Sequence, residues 1–311
     1  MNQFAKDVLA GLSATPKILS SKYFYDKKGD QLFQQIMALD EYYLTRSEYA
    51  IFDANKEAIL ASFNNGADKF KLIEFGAGDG YKTKVLLRHF LKNGADFTYM
   101  PIDISGNVLR LLKSSLLEEL PDLQVKGLQN EYFSALAELH DSPDRNVVLF
   151  LGSKIGNFTG DQAVQFLKQL NESLKSGDLL FIGFDLKKDP EVVLDAYNDK
   201  QGVTAAFNLN LLTRINDELS GNFDLTKFQH SPIYNPLTGT TSSYLVSTEK
   251  QVVEVMDIAI QFDAWEAIHM EISQKYDQKM VEGLASNSGF EIVQDFTDDR
   301  KYFLNSVWKK I

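Results

Sequence analysis

At 311 residues, with 44% hydrophobic side chains that include 22 Phe and 13 Tyr, the chain has ample apolar material for one large domain or two. Its net charge of −11 and the scattering of its 32 Lys and Arg argue against a nucleic-acid partner, which needs clustered cations; the pairs Lys27 with Lys28 and Lys187 with Lys188 read as solvated surface lysines. The absence of cysteine excludes disulfides, Fe–S clusters and thiolate zinc sites, no apolar run reaches the roughly 20 residues that cross a bilayer, and Met1 to Lys6 lacks a signal-peptide core, so a cytoplasmic protein with no membrane partner is expected.

The first 60 residues read as helical, with Thr45-x-x-Glu48 placed to act as a capping box before the apolar positions Ile51, Phe52, Ile59 and Leu60. An apolar strand over 70–75 then runs into a turn with Gly76, Gly78 and Gly80, a helix over 81–91 follows, and a second strand over 97–102 ends before Asp103. Further strands near 123–128, 146–152 and 178–185, with helical patterns between them, predict a parallel sheet whose nearly continuous apolar strands are covered on both faces. Near residue 188 the alternation stops: a helical stretch follows Pro190 to about Leu219, and 228–276 reads as strands broken by the turns at Asn235-Pro236 and Thr238-Gly239. A helix near 277–287, a strand near 290–296 and a last strand over 302–308 resume the first pattern as a closing antiparallel hairpin. The expected organisation is a helical part of a second lobe over 1–60, a nucleotide-cofactor core over 61–187, an α+β lobe over 188–276, and a return to the core over 277–311.

Ligands of an open α/β sheet bind beyond the carboxyl ends of its strands, so the residues there matter most. Glycines at the first strand end let a backbone approach a ligand at the helix start, where Lys82 also lies, and Asp103 at the second can accept hydrogen bonds from ribose hydroxyls. The spacing Gly-x-Gly-x-Gly preceded by Glu74 resembles the first motif of S-adenosylmethionine methyltransferases more than the dinucleotide pattern, and NAD is the alternative. Glu131 and Tyr132 sit where an acid can accept from an adenine amino group and a ring can pack on the base; a helix-starting glutamate fits equally. Asn157 carries both a donor and an acceptor suited to a zwitterionic amino acid, or it caps the next helix. His89, His140, His230 and His269 are isolated, so no metal site is expected.

Beyond these motifs, Lys22-Tyr23-Phe24-Tyr25-Asp26, the stretch from Glu41 to Glu48, Lys82-Thr83, Pro101-Ile102-Asp103-Ile104-Ser105, the run from Phe150 to Asn157, Asp195 to Asp199, Gly202 to Ala205, and Glu271-Ile272-Ser273 with Lys275 together resemble one family across nearly the whole chain. This is the ergothioneine-pathway histidine Nα-methyltransferase family, whose members make trimethylhistidine (hercynine). The resemblance implies a class I, Rossmann-like methyltransferase sheet, mostly parallel, plus an α+β substrate-binding lobe. S-adenosylmethionine would be the cofactor, S-adenosylhomocysteine its product, and a small amino acid the partner. Gly76, Gly78, Lys82, Asp103, Glu131 and Tyr132 would contact the cofactor. Tyr42, Asn157 and Tyr197 would hold the substrate's amino and carboxylate groups with Tyr25 nearby, and Glu271 and Ser273 would bind imidazole. Without that resemblance, Tyr42 and Tyr43 read as aromatic core beside Tyr49 and Phe52.

The chain departs from the family at three places. Lys154 stands where a small hydroxyl residue is usual, Glu131 where an aspartate is, and Ser243-Tyr244-Leu245 where a methionine and a basic residue line the imidazole pocket, which puts Tyr244 in the expected pocket wall. Tyr244 favours another amino-acid substrate, such as a tryptophan derivative; Glu271 and Ser273 weigh against it. A non-catalytic binding module is a third reading, opposed by the intact set of Tyr42, Asn157 and Tyr197. In catalysis, Tyr42 or Tyr25 would guide the proton that leaves the amine.

Overall fold

A computed structural model describes residues 1–64, 69–103, 106–137 and 144–311; Ile104, Ser105 and His140 lie outside the described residues. The chain folds as two compact units, one of Met1–Tyr43 with Lys188–Gln274, the other of Leu44–Lys187 with Lys275–Ile311.

The first unit opens with α1 (Gln3–Ser13), the two-residue strand β1 (Lys17–Ile18) and α2 (Lys27–Ala38). Asp26, the last residue of the Tyr-Phe-Tyr-Asp motif, caps α2 by accepting from the Gly29 amide at 2.6 Å and also accepts from Asn210 Nδ2 at 2.9 Å. The second unit then begins with α3 (Leu44–Asn64), β2 (Lys69–Phe75), α4 (Thr83–Lys92), β3 (Asp96–Asp103) and α5 (Gly106–Glu119). It continues through β4 (Leu128–Gln129), α6 (Tyr132–Ala137), β5 (Arg145–Phe150), α7 (Gly160–Ser173) and β6 (Leu179–Asp185). The chain returns to the first unit for α8 (Pro190–Asp195), α9 (Val203–Leu219), β7 (Phe228–Asn235), β8 (Thr240–Ser247), β9 (Gln251–Val255), β10 (Ile258–Phe262) and β11 (Ala267–Gln274). It ends in the second with α10 (Gln278–Asn287), β12 (Phe290–Thr297) and β13 (Phe303–Lys310).

Among the described residues the second unit holds seven strands in the order β12-β13-β6-β5-β2-β3-β4. The five from β6 to β4 run parallel, and β13 and β12 close the edge as an antiparallel hairpin. The chain moves outward from β2 to β3 and β4, then returns to β5 on the other side of β2. This reversal sends the connections after β2 and β5 in opposite directions and opens a ligand crevice between those two strand ends. Every residue of β6 is buried, as its unbroken apolar run demands of a strand covered on both faces.

In the first unit, β1-β11-β8-β7 form a sheet, parallel between β1 and β11 and antiparallel elsewhere, while β9 and β10 pair separately. The apolar faces of α1, α2 and α9 pack with Leu245, Ile268, Met270 and the β9–β10 pair in one core.

Three expectations change. The helical segment 1–60 is divided: the boundary falls after Tyr43, so α3 belongs to the unit of the seven-stranded sheet. The strand near 123–128 is broken into a bridge from Val125 to Tyr99 and the short β4, with Gly127 between them on the sheet's edge. Thr45 and Glu48 do not cap α3, because both lie inside it and the Glu48 side chain is drawn to partners far along the chain.

Candidate active site

Glu74 anchors the glycine loop from below. Its buried carboxylate accepts from Thr83 Oγ1 at 2.9 Å and from the Tyr99 hydroxyl at 2.6 Å, tying the end of β2 to the first turn of α4. Burial raises the Glu74 pKa, against the pull of the Tyr99 hydroxyl. Gly76 has φ +63°, a conformation that side chains other than glycine's rarely adopt, and its amide donates to Ile102 O at 3.0 Å. A Cβ there would lie 2.7 Å from Lys154 Nζ and 3.0 Å from the Tyr132 hydroxyl, so three chain segments converge on this glycine. The Tyr132 ring stacks on Phe75 with centroids 4.3 Å apart and planes 2° from parallel. Its hydroxyl is raised in pKa by burial and then by the charge of Asp103, which ends β3. Glu131 is exposed just before α6, whose Ala135 amide donates to its carbonyl at 3.0 Å. Gly78 is exposed with φ +58°.

The segment after β5 is fastened at several points. Glu48, fully buried, accepts from the Gly152 amide at 3.0 Å, from Asn305 Nδ2 at 2.9 Å and from Lys82 Nζ, with which it forms an ion pair. Gly152 and Ser153 both have positive φ, Ser153 Oγ accepts from the Asp185 amide at 2.9 Å, and the Tyr276 hydroxyl donates to Ile155 O at 3.1 Å. Asp185 in turn pairs with Lys275 at 2.9 Å, with neither side chain exposed. Lys154 leaves this segment and crosses the switch point, donating to Phe75 O at 2.8 Å and Gly76 O at 2.5 Å. Burial pushes its pKa down to about 8, partly offset by the field of Glu74.

Asn157 ends the short 3-10 turn that begins at Lys154 and is exposed. The helix-capping alternative does not hold, since α7 is capped by Thr159 in a reciprocal box with Gln162. No side-chain hydrogen bond of Asn157 is found among the described residues.

The first unit gathers a second set of groups. Tyr25 packs on Phe33 and Phe207 with centroids 5.5 and 5.7 Å away, and Phe33 on Tyr42 at 6.3 Å. Tyr25 keeps 48% of its surface exposed, yet its hydroxyl is raised well above the ordinary phenol value. The cause is first the part of it that is buried, then the Glu271 carboxylate, with a smaller contribution from Tyr197. Tyr197 is buried after α8, its carbonyl accepting from His230 Nε2 at 3.0 Å. Tyr43 is buried under the Lys188 ammonium, which lies 4.3 Å from its ring centroid and donates to its hydroxyl at 2.9 Å. Within the second unit Tyr49 packs on Tyr81 and Phe52 on Phe181.

A bulge decides what β11 presents. His269 pairs with Tyr244 and Glu271 with Ser243, so Met270 is the extra residue. Side chains alternate between the faces of a strand, and partners across a ladder share a face. Glu271 and Ser273 therefore share the face of Ser243 and Thr241, whereas Tyr244 lies on the other face against His269, their rings 5.3 Å apart. This corrects the expected pocket wall: Ser243, not Tyr244, stands opposite Glu271. The Thr241 hydroxyl on that face is buried without a hydrogen-bond partner among the described residues.

Glycine turns at the reversal of a parallel sheet, an acidic strand end beside them and an antiparallel closing hairpin define a class I methyltransferase. The chain belongs to the S-adenosylmethionine-dependent, histidine-specific methyltransferase family, whose sequence model matches residues 4–310. It is 36% identical over 295 residues to the histidine N-alpha-methyltransferase of Mycolicibacterium smegmatis, covering 94% of this chain and 90% of that protein. Identity to the corresponding Mycobacterium tuberculosis protein is 34%, covering 94% and 91%. The L-tryptophan methyltransferase of Psilocybe serbica is 25% identical, covering 95% and 90%. An S-adenosylmethionine-dependent methyltransferase of Clostridium acetobutylicum aligns in structure with a TM-score of 0.48 at 11% identity, covering 90% of this chain and 98% of that one.

S-adenosylmethionine is the cofactor, and the residues present fit it. The acid at the end of β3 suits ribose hydroxyls, and the two cations, Lys82 after the glycine turn and Lys154 after β5, suit a zwitterionic amino-acid tail. Among the described residues no helix is long and apolar enough to cross a membrane and no group of metal-ligating side chains gathers; His89, His230 and His269 lie apart. Sequence reasoning missed Glu48, which it treated as a local cap, and Ser243; a carboxylate inside an otherwise buried helix face was the available signal for Glu48.

Proposed function

We propose that the protein methylates the α-amino nitrogen of L-histidine, up to three times, giving hercynine. The observation that carries this reading is the bulged register of β11, which turns Glu271 and Ser273 to the face of Ser243 and Thr241, with Glu271 acting on Tyr25. A carboxylate and a hydroxyl together satisfy both nitrogens of an imidazole, one as acceptor and the other as donor. The tryptophan alternative drew its support from Tyr244, which the register removes from that face.

The cofactor supplies an activated methyl group on a sulfonium. Gly76, Gly78, Lys82, Asp103, Glu131 and Tyr132 form its binding set. Tyr42, Asn157 and Tyr197 hold the amino and carboxylate groups of the amino acid, while Glu271 and Ser273 hold its ring. Anchoring through the carboxylate and the ring lets the amine turn among its partners, so repeated transfer needs no new site. Alignment of two bound reactants is worth about 7–11 kcal/mol, enough that no strong base is required. Tyr25, held protonated by its raised pKa, relays a proton as a neutral hydroxyl.

Incubation with histidine and S-adenosylmethionine followed by mass spectrometry tests the reading. Mono-, di- and trimethylated histidine are expected; no methylated histidine from protein that binds S-adenosylhomocysteine would overturn it.

A further inference from the structure

We propose that His230 is a positioning residue for the methyl transfer: by tying the backbone of Tyr197 to the sheet that carries Glu271, it sets the distance between two of the groups that grip the amino acid. It rests on the substrate reading above, in which Tyr197 holds the amino and carboxylate groups and Glu271 holds the ring.

Tyr197 follows α8, a helix of six residues, too short to hold a side chain in place by its own hydrogen bonds. The turn that leads from it to α9 is stitched locally. The Tyr197 amide donates to Leu194 O at 3.0 Å, the Asn198 amide to Asp195 O at 3.2 Å and the Gly202 amide to Asp199 O at 3.0 Å. The Asp199 carboxylate closes the far end by accepting from the Val203 and Thr204 amides at 2.9 and 2.7 Å. Bonds over so few residues shape the turn, but they do not fix where it stands against the sheet.

His230 supplies that link. It lies 33 positions further along the chain, on β7, and its Nε2 donates to Tyr197 O at 3.0 Å. His230 pairs with Leu245 across the β7–β8 ladder, and Ser243, two residues before Leu245, pairs with Glu271 on β11. Partners across a ladder share a face, as do alternate residues of a strand, so His230, Ser243 and Glu271 project from one face of one sheet. The backbone of that sheet is a ruler between Tyr197 and Glu271. A separate observation brings their side chains together, since the Glu271 carboxylate and the Tyr197 hydroxyl both act through space on the Tyr25 hydroxyl.

The state of the ring suits a fixed link. A carbonyl oxygen can only accept, so the imidazole proton sits on Nε2. Burial lowers the His230 pKa, against the Tyr197 carbonyl and the Asp199 charge, and keeps the ring neutral. A neutral ring holds the turn without adding a charge beside a zwitterionic ligand. Nδ1 is buried and has no hydrogen-bond partner among the described residues, a cost that an aliphatic side chain would avoid, while only a donor can hold the Tyr197 carbonyl.

A double-mutant cycle tests the proposal, read by calorimetric titration of histidine into protein saturated with S-adenosylhomocysteine. Glutamine and asparagine separate the two ring positions, because a glutamine amide nitrogen reaches where Nε2 stands and an asparagine amide ends near Nδ1. His230→Asn should weaken histidine binding about tenfold, and His230→Gln should recover most of that affinity. Tyr197→Phe should weaken binding by itself, and adding His230→Asn to it should cost no more than about twofold further, since the hydroxyl being positioned is gone. A merely structural role would give the same loss in both backgrounds; that result, full affinity in His230→Asn, or His230→Gln as weak as His230→Asn would each overturn the proposal. Full affinity in Tyr197→Phe would overturn it together with the role given to Tyr197. Wild-type protein that binds S-adenosylhomocysteine but not histidine would overturn the substrate reading and this inference with it.

Discussion

Glu271 stands opposite Ser243 across the β8–β11 ladder because Met270 is absorbed as an extra residue in the strand. Were the ladder regular, Glu271 would share the face of His269 and Tyr244, and the core face of the sheet would lack its carboxylate. Glu271→Gln should therefore weaken histidine binding about 10- to 100-fold while leaving S-adenosylhomocysteine affinity unchanged. Deleting Met270 should cost at least as much histidine affinity by turning the carboxylate away, and calorimetry with each ligand separates the two effects.

Neighbouring positions on β8 should behave oppositely. Tyr244→Ala, on the far face against His269, should leave the KM for histidine within about twofold. Ser243→Phe, filling space opposite Glu271, should raise it about tenfold or more. Steady-state kinetics on the pair reads this out, and a reversed order would mean that the ladder register is different.

The ion pair of Lys275 with Asp185 is fully buried. Lys275→Met removes one partner only and should destabilise the protein by about 3–5 kcal/mol in urea unfolding, since an uncompensated charge is left in the interior. The double variant with Asp185→Leu should recover much of that loss; no recovery would indicate that the loss does not come from the buried charge.

Glu48→Ala orphans the Gly152 amide and Asn305 and leaves Lys82 without its carboxylate. A loss of about 1–3 kcal/mol is expected for each buried group left unpaired, seen as a lower midpoint of thermal unfolding.

Lys154 gives the protein a pH signature. Its folded pKa near 8 lies below the roughly 10.4 of an unfolded lysine. Between those values the unfolded chain binds more protons, so this group makes folding stability rise with pH, and below about 8 its buried charge is a standing cost. Lys154→Met should abolish that rise in a comparison of melting temperatures from pH 7.5 to 10.

The sequence made the sheet legible where structure is set locally. Strands at 70–75 and 97–102, the glycine turn and the closing hairpin are short-range patterns, and the structure has them at β2, β3, Gly76 to Gly80 and β12–β13. What could not be read was long-range. Glu48 looks like a cap three residues after Thr45, but its partners sit 104 and 257 positions away. A bulge has no residue signature of its own, so the facing of Glu271 and Tyr244 could not be read from alternation along β11 alone. Lys154 was recognisable as a departure, while the carbonyls it binds belong to a strand nearly 80 residues earlier.

Each unit is assembled from two separated stretches of chain, and Asn305, near the start of the last strand, supplies one of the hydrogen bonds that hold Glu48 in the first helix of its unit. A nascent polypeptide emerging from the ribosome therefore carries Glu48 for some 250 residues of synthesis before that partner exists. No single proteolytic nick or gene truncation can release either unit whole, and a split-protein reconstitution would have to supply both halves of each.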